Sequence, residues 1–265
     1  MNVSRFKSAV ILGAILLAVA AAWWLMLGSE QLSRTSYIRI GVEENYPPFS
    51  YIEDGRQMGF DVDIGRAVCK AMNLNCEIVP LQFDHLIPDL LEQRIDLIIA
   101  GLGATQERRK QLLFSETYYR SRSFFISRNM RATGITAENA SGLVIGVQKG
   151  SLQAQTLRRR FVPHGALLNE YETYAELAEA IKARKVDALF VDGLSGYALL
   201  KQAEGAGLYI GGSDEEFDPD IINAHIAARK QDERLIESIN DALERLKADG
   251  SYQTISMRYF TFMNY

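Results

Sequence analysis

Two segments of this chain repeat one design. RIDLIIAG (94–101) and KVDALFVDG (185–193) each run from a basic residue through an aspartate into an apolar stretch that ends on glycine, with helical periodicity before and after. Each reads as an apolar strand that follows one helix and precedes another. YIRIGV (37–42), CEIVPL (76–81), LVIGV (143–147) and LYI (208–210) read as further strands. Helical patterns follow Asp61, the expected cap of its helix, and recur near 84–93, 152–160, 173–184, 194–203 and 232–248, the last closing on the glycine stop of ERLIESINDALERLKADG. This alternation predicts an α/β fold with mainly parallel sheets and right-handed crossovers. The polar, irregular segment 128–141 predicts a join between two such units.

The first 36 residues stand apart. Arg5 and Lys7 precede an uncharged run from Ala9 to Leu27, the pattern of a signal peptide or a membrane helix that leaves the N-terminus in the cytoplasm and exports the rest. Ala20-Ala21-Ala22 suits cleavage, whereas Trp23 and Trp24 suit an interfacial belt, so both forms stay open. The formal net charge of −4, and the lack of a basic stripe, argue against nucleic acid as a partner. His85, His164 and His225 are scattered and give no metal-ligand spacing with Cys69 and Cys76. Export turns the two cysteines toward a disulfide.

In open α/β sheets ligands bind beyond the carboxyl ends of the strands. Four strand ends here carry glycine or polar residues: Val42 to Tyr46, Ala100 to Gly103, Val147 to Ser151, and Val191 to Gly193. With Thr105 as N-cap, Arg108 is the third residue of a helix whose positive end already repels cations. Its side chain leans back past the cap, where free N–H groups and a guanidinium converge on one point, a carboxylate or phosphate site. Taken alone, Arg108 fits a solvated face, as Glu107, Arg109 and Lys110 do; Asp192 fits a turn, and Tyr46-Pro47-Pro48-Phe49 fits packed aromatics. Together, one anion site, counter-charges at Asp192 and Glu43, and the face of Tyr46 describe a zwitterionic amino acid with a polar side chain.

The segments IRIGVEENYPPFSY, MGFDVDIGRAVCKAMNLNCEI, DHLIPDLLEQRIDLIIAGLGATQERRKQLLFSETYY and ADGSYQTISMRYF resemble the periplasmic solute-binding proteins of polar amino acid ABC transporters, bacterial solute-binding protein family 3, over about 37–260. The likeness is closest to the lysine/arginine/ornithine- and histidine-binding branch, in which the cysteine pair is a disulfide. The resemblance implies a two-lobed type II periplasmic binding fold joined by two hinge strands, with 1–36 as signal peptide or anchor, 37–125 and 222–265 in the first lobe, and 126–221 in the second. By position, Arg108 would hold the ligand α-carboxylate with the backbone of Gly101 and Gly103, and Asp192 the α-amino group. Tyr46 and Phe83 would flank the side chain, Glu43 would face its distal cation, and Ser151, Leu152 and Gln153 would form the second-lobe loop, with Ser151 donating to the carboxylate. Gly103, Ala100 and Leu152 depart from polar residues common in the family, which removes a ligand hydroxyl. The expected partners are a basic L-amino acid and an inner-membrane ABC permease, in the periplasm, with the membrane touched through 9–27 if that run is uncleaved and with no cofactor. The competing readings are a periplasmic dehydratase on the same fold, weakened by Leu194, Ser195 and Gly196 where an acid is expected, and a ligand sensor acting through a signalling partner.

Overall fold

A computed structural model describes residues 37–129, 134–201, 207–213 and 223–260. The expected export run at 9–27 lies outside them, and among the described residues no helix is long and apolar enough to cross a membrane. Residues from Ile38 onward form one unit by contacts. Within it stand two five-stranded sheets.

The first sheet has the order β4-β1-β5-β12-β6, from Asn75–Leu81, Tyr37–Glu43, Leu97–Leu102, Asn223–Arg229 and Leu112–Arg120. The second has the order β11-β7-β10-β8-β9, from Tyr209–Ser213, Ser123–Ser127, Ala188–Asp192, Val144–Gln148 and Leu167–Tyr171. A hairpin of β2 (Tyr51–Glu53) and β3 (Arg56–Met58) stands apart from both. The two repeated segments thus become β5 and β10, each the middle strand of its sheet. Both are apolar up to their cleft ends because both faces are covered, and both have a parallel neighbour on one side and an antiparallel one on the other: β1 and β12 for β5, β8 and β7 for β10. The parallel pairs β1–β5 and β8–β10 join strands that periodicity predicts, while β9, parallel to β8, is a strand it does not predict. The antiparallel strands β6, β7 and β12 are added where the chain crosses between sheets. Their residues, LLFSETYYR, SFFIS and NAHIAAR, mix polar and small side chains among apolar ones, so none stands out as an apolar run.

The first crossing falls at Ser121–Arg122, because Arg120 ends β6 and Ser123 opens β7; the expected boundary at 125/126 sits inside β7. The expected return boundary at 221/222 lies outside the described residues.

Two local expectations are corrected. Asp61 does not cap its helix. Gly59 is the N-cap of helix Phe60–Ala71, with φ 128°, and a Cβ there would stand 2.1 Å from the Phe49 carbonyl oxygen, so only glycine fits. Asp61 is therefore already inside the first turn, and its carboxyl turns inward. The stop at Gly250 does end helix Glu233–Ala248, but it is not the end of helical structure: the chain re-enters a helix at Ser251–Tyr259 and buries Tyr252 and Ile255. Those residues join Phe49, Phe60, Tyr118, Tyr119 and Phe260 in the aromatic core of the first lobe. Cys69, late in helix Phe60–Ala71, is disulfide-bonded to Cys76 of β4 across a Cα separation of 6.2 Å.

Candidate functional site

β5 delivers Gly101 to the edge of a cleft between the two sheets. The residue has φ 59°, and a Cβ would stand 2.5 Å from the Tyr119 hydroxyl, which favours glycine here. Its N–H donates to Tyr118 Oη at 3.0 Å, fixing the strand end. Thr105 then caps a one-turn helix, Gln106–Arg109, its Oγ1 accepting from Arg108 N at 3.2 Å. The side chain of Arg108 folds back as its position dictates. Nη1 donates to Gly103 O at 3.0 Å, Nη2 donates across the cleft to Gly150 O at 3.2 Å, and the guanidinium carbon sits 6.0 Å from the Phe83 ring centre. Arg108 is only 7% exposed, and burial alone pulls its pKa down to about 10. No carboxylate pairs with it among the described residues. Its neighbours behave otherwise: Lys110 pairs with Glu107 at the surface, and Arg109 lies 5.5 Å from the Phe114 ring centre while donating to Ala104 O.

The opposite wall is acidic. Glu43 closes β1 and is 4% exposed. Gln148, the last residue of β8 in the second lobe, donates its side-chain Nε2 to Glu43 Oε1, and Glu43 Oε2 has no hydrogen-bond partner. Burial pushes the Glu43 carboxyl up to about 8, only partly offset by Gln148. Asp192, at the end of β10, accepts at Oδ1 from Leu194 N at 2.8 Å and Ser195 N at 3.3 Å, so it holds the first turn of helix Gly193–Lys201. Tyr46 meets Tyr174 of the second lobe edge-on at 5.0 Å, and Lys149 reaches Asp84 at 3.2 Å over the rim.

A single cavity with about 510 Å³ of empty space, part of it open to solvent, is lined by Glu43, Tyr46, Phe83, Gly101, Arg108, Ser151, Gln153 and Asp192 together. Gly103 does not line it; its carbonyl serves Arg108 instead. Ser151 lines it, but its hydroxyl proton goes to Gln148 O at 2.7 Å while its Oγ accepts from Ala154 N at 3.1 Å. What Ser151 offers the cavity is thus a capped helix N-terminus rather than a free hydroxyl donor. Sequence reasoning missed Gln148, Tyr119 and Asn223, which also line the cavity. Gln148 stood in one of the four polar strand ends and could have been found there. Tyr119 and Asn223 lie on β6 and β12, strands whose pattern gave no signal.

A fold of two mixed α/β sheets with one charged cleft between them defines a class, the two-lobed binding proteins. Residues 38–262 match the bacterial extracellular solute-binding proteins, family 3, and the chain belongs to that family. The chain is 31% identical over 261 residues to the L-arginine-binding protein of Pseudomonas aeruginosa, covering 97% of each chain. It is 33% identical to the lysine/arginine/ornithine-binding periplasmic protein of Escherichia coli, covering 86% of this chain and 89% of that one. Among solved structures, an ancestral arginine-binding protein bound to arginine is similar with a TM-score of 0.79 at 32% identity, covering 84% of this chain and 98% of that one.

Proposed function

We propose that this chain binds a basic L-amino acid in its cleft, in the periplasm, and delivers it to an ABC permease. The observation that carries the reading is Arg108: a guanidinium 7% exposed, hydrogen-bonded to two backbone carbonyls and paired with no carboxylate among the described residues. A buried cation without a counter-ion is costly, and a ligand carboxylate beside it removes that cost with charge-assisted hydrogen bonds. Asp192 receives the α-amino group, Glu43 the distal cation, and Tyr46 and Phe83 flank the methylenes between. The names of the relatives, which bind arginine, or lysine, arginine and ornithine, support the same ligand class. No step in this reading breaks a covalent bond.

A thermal-shift screen of the twenty amino acids tests it. A ligand present at 100 times its dissociation constant stabilises by about 2.7 kcal/mol. Arginine, lysine or ornithine is expected to give the largest shift. A largest shift from glutamate or leucine would overturn the ligand class.

A further inference from the structure

A hydrogen-bond chain ends on the strand terminus that carries Gly101, and its other members do not line the cavity. Gly101 N donates to Tyr118 Oη at 3.0 Å, and Tyr118 Oη donates to Asp61 Oδ1 at 2.7 Å. Tyr118 and Asp61 are each 1% exposed, and neither is among the lining residues. A tyrosine hydroxyl has one proton to give. Tyr118 receives the Gly101 N–H without leaving its own proton buried and unpaired because Asp61 takes that proton. Oδ1 accepts whether or not the other carboxyl oxygen is protonated. The chain therefore runs in one direction, and each bond polarises the next.

Both supporting residues are held from other sides. The Tyr118 ring lies parallel to Phe60 at 6.0 Å between centres and meets Tyr119 edge-on at 5.0 Å, while Tyr252 Oη donates to the Tyr118 carbonyl. Asp61 is the second residue of helix Phe60–Ala71. Its N–H donates to Phe49 O at 2.9 Å, and the Phe60 N–H donates to Pro48 O at 3.0 Å, which ties the helix start to the loop that carries Tyr46. The residue they support is soft. Glycine takes positive and negative φ about equally readily, so a φ of 59° at Gly101 is chosen by its surroundings. Those are the bond from its N–H to Tyr118 and the Tyr119 hydroxyl packed against its open face. Two residues on, the Gly103 carbonyl accepts from Arg108 Nη1 at 3.0 Å. The hand taken at Gly101 directs that carbonyl, and the carbonyl directs the guanidinium.

Resting on the amino-acid reading above, we propose that Asp61 and Tyr118 are positioning residues for the ligand α-carboxylate: a brace that holds Gly101 in one conformation and, through Gly103, aims Arg108 into the cavity. The brace ends on the Arg108 side of the cleft. It therefore acts on the part that all amino acids share. Arginine and glutamine should depend on it equally, and a cation without an α-carboxylate should not depend on it.

The test is titration calorimetry of arginine, glutamine and agmatine, which lacks the α-carboxylate, against the wild type, Tyr118→Phe and Asp61→Asn. Tyr118→Phe keeps the ring and removes the hydroxyl. It should weaken arginine and glutamine by about tenfold each, the net worth of one hydrogen bond, and leave agmatine within about twofold. Asp61→Asn keeps an acceptor for the Tyr118 proton and should hold arginine and glutamine within about threefold of the wild type. Unchanged arginine affinity in Tyr118→Phe, or an agmatine loss as large as that of arginine, overturns the brace while leaving amino-acid binding intact. A loss in Asp61→Asn as large as that in Tyr118→Phe removes Asp61 from it. A ligand-free measurement stands beside these: in amide hydrogen exchange read by NMR, Gly101 of the wild type should be protected like Ile99 of the same strand, and Tyr118→Phe should speed Gly101 by about tenfold or more while Ile99 is unchanged. A wild-type Gly101 amide that exchanges as fast as an exposed loop amide overturns the brace with no variant needed. Failure of the wild type to bind either amino acid overturns the parent reading and the carboxylate role with it.

Discussion

The two poles of the cleft are built in different ways. The Arg108 pole is local: a strand end, a glycine with φ 59°, a capped turn and one side chain, all between Gly101 and Arg109, with Gly150 the one partner from the second lobe. The acidic pole is assembled from three places far apart in sequence, Glu43 on β1, Gln148 on β8 and Asp192 on β10. Both poles are desolvated, but with opposite results. Arg108 remains charged, since a pKa lowered to about 10 still lies well above neutrality, whereas the buried Glu43 is lifted to about 8 and becomes neutral. A guanidinium resists deprotonation and a carboxyl does not resist protonation. One pole is therefore a fixed charge and the other an adjustable one. The fixed pole should decide whether any amino acid binds, and the adjustable pole which one.

The largest expected effect follows at the fixed pole. Arg108→Ala should cost roughly 2–5 kcal/mol of binding, the range for truncating one partner of a buried charge pair, and should do so for arginine and glutamine alike. Calorimetry reads this as an affinity loss of about 30-fold or more for both. At the adjustable pole, Glu43→Gln should remove one charge-assisted hydrogen bond, about 1.5–3 kcal/mol, from arginine only, leaving glutamine within a few-fold of wild type. Equal losses for the two ligands would erase the distinction between the poles.

Stability without ligand sharpens the same contrast. Glu43 and Asp61 ionise near 4.5 and 3.8 in an unfolded chain and near 8 when folded. Their folded values are raised, so the stability they confer as neutral acids is complete below about pH 4 and is lost as pH rises through about 8. Glu43→Gln should accordingly melt higher than wild type at pH 8 and equally at pH 4. The Cys69–Cys76 disulfide lies away from both poles. Its reduction should cost about 2.5 kcal/mol of stability by loop-closure entropy, read from denaturant midpoints with and without reductant, and leave the ligand ranking unchanged. The smallest effect belongs to the rim. Lys149→Gln breaks a partly exposed cross-cleft ion pair with Asp84, worth about 0–1 kcal/mol, and should weaken all ligands by less than about fivefold and reduce the salt dependence of binding.

The same contrast explains what was legible in the sequence. Arg108 could be read because its oddity is local: a cation three residues after a threonine cap. The repeated apolar segments could be read as strands because burial on both faces leaves no alternation to misread; their central place in the sheets came only from the structure. Asp61 was read as a cap because an aspartate near a helix start usually is one. What turns it inward is Gly59, whose tight approach to Phe49 starts the helix early, and Tyr118, which waits on a strand the pattern did not reveal. Gln148 has meaning only once the lobes meet, and no spacing along the chain joins it to Glu43. The strands β6 and β12 were missed because their small and polar residues pack against neighbours from distant parts of the chain.

The central claim is that Arg108 takes a ligand carboxylate while the acidic wall takes the cation. Agmatine, which is arginine without its α-carboxylate, tests that division with the side chain unchanged. Calorimetry of arginine and agmatine against wild type and Arg108→Ala should show arginine bound far more tightly by the wild type, and the two ligands bound with similarly poor affinity by the variant. Agmatine binding to the wild type as tightly as arginine would contradict the account.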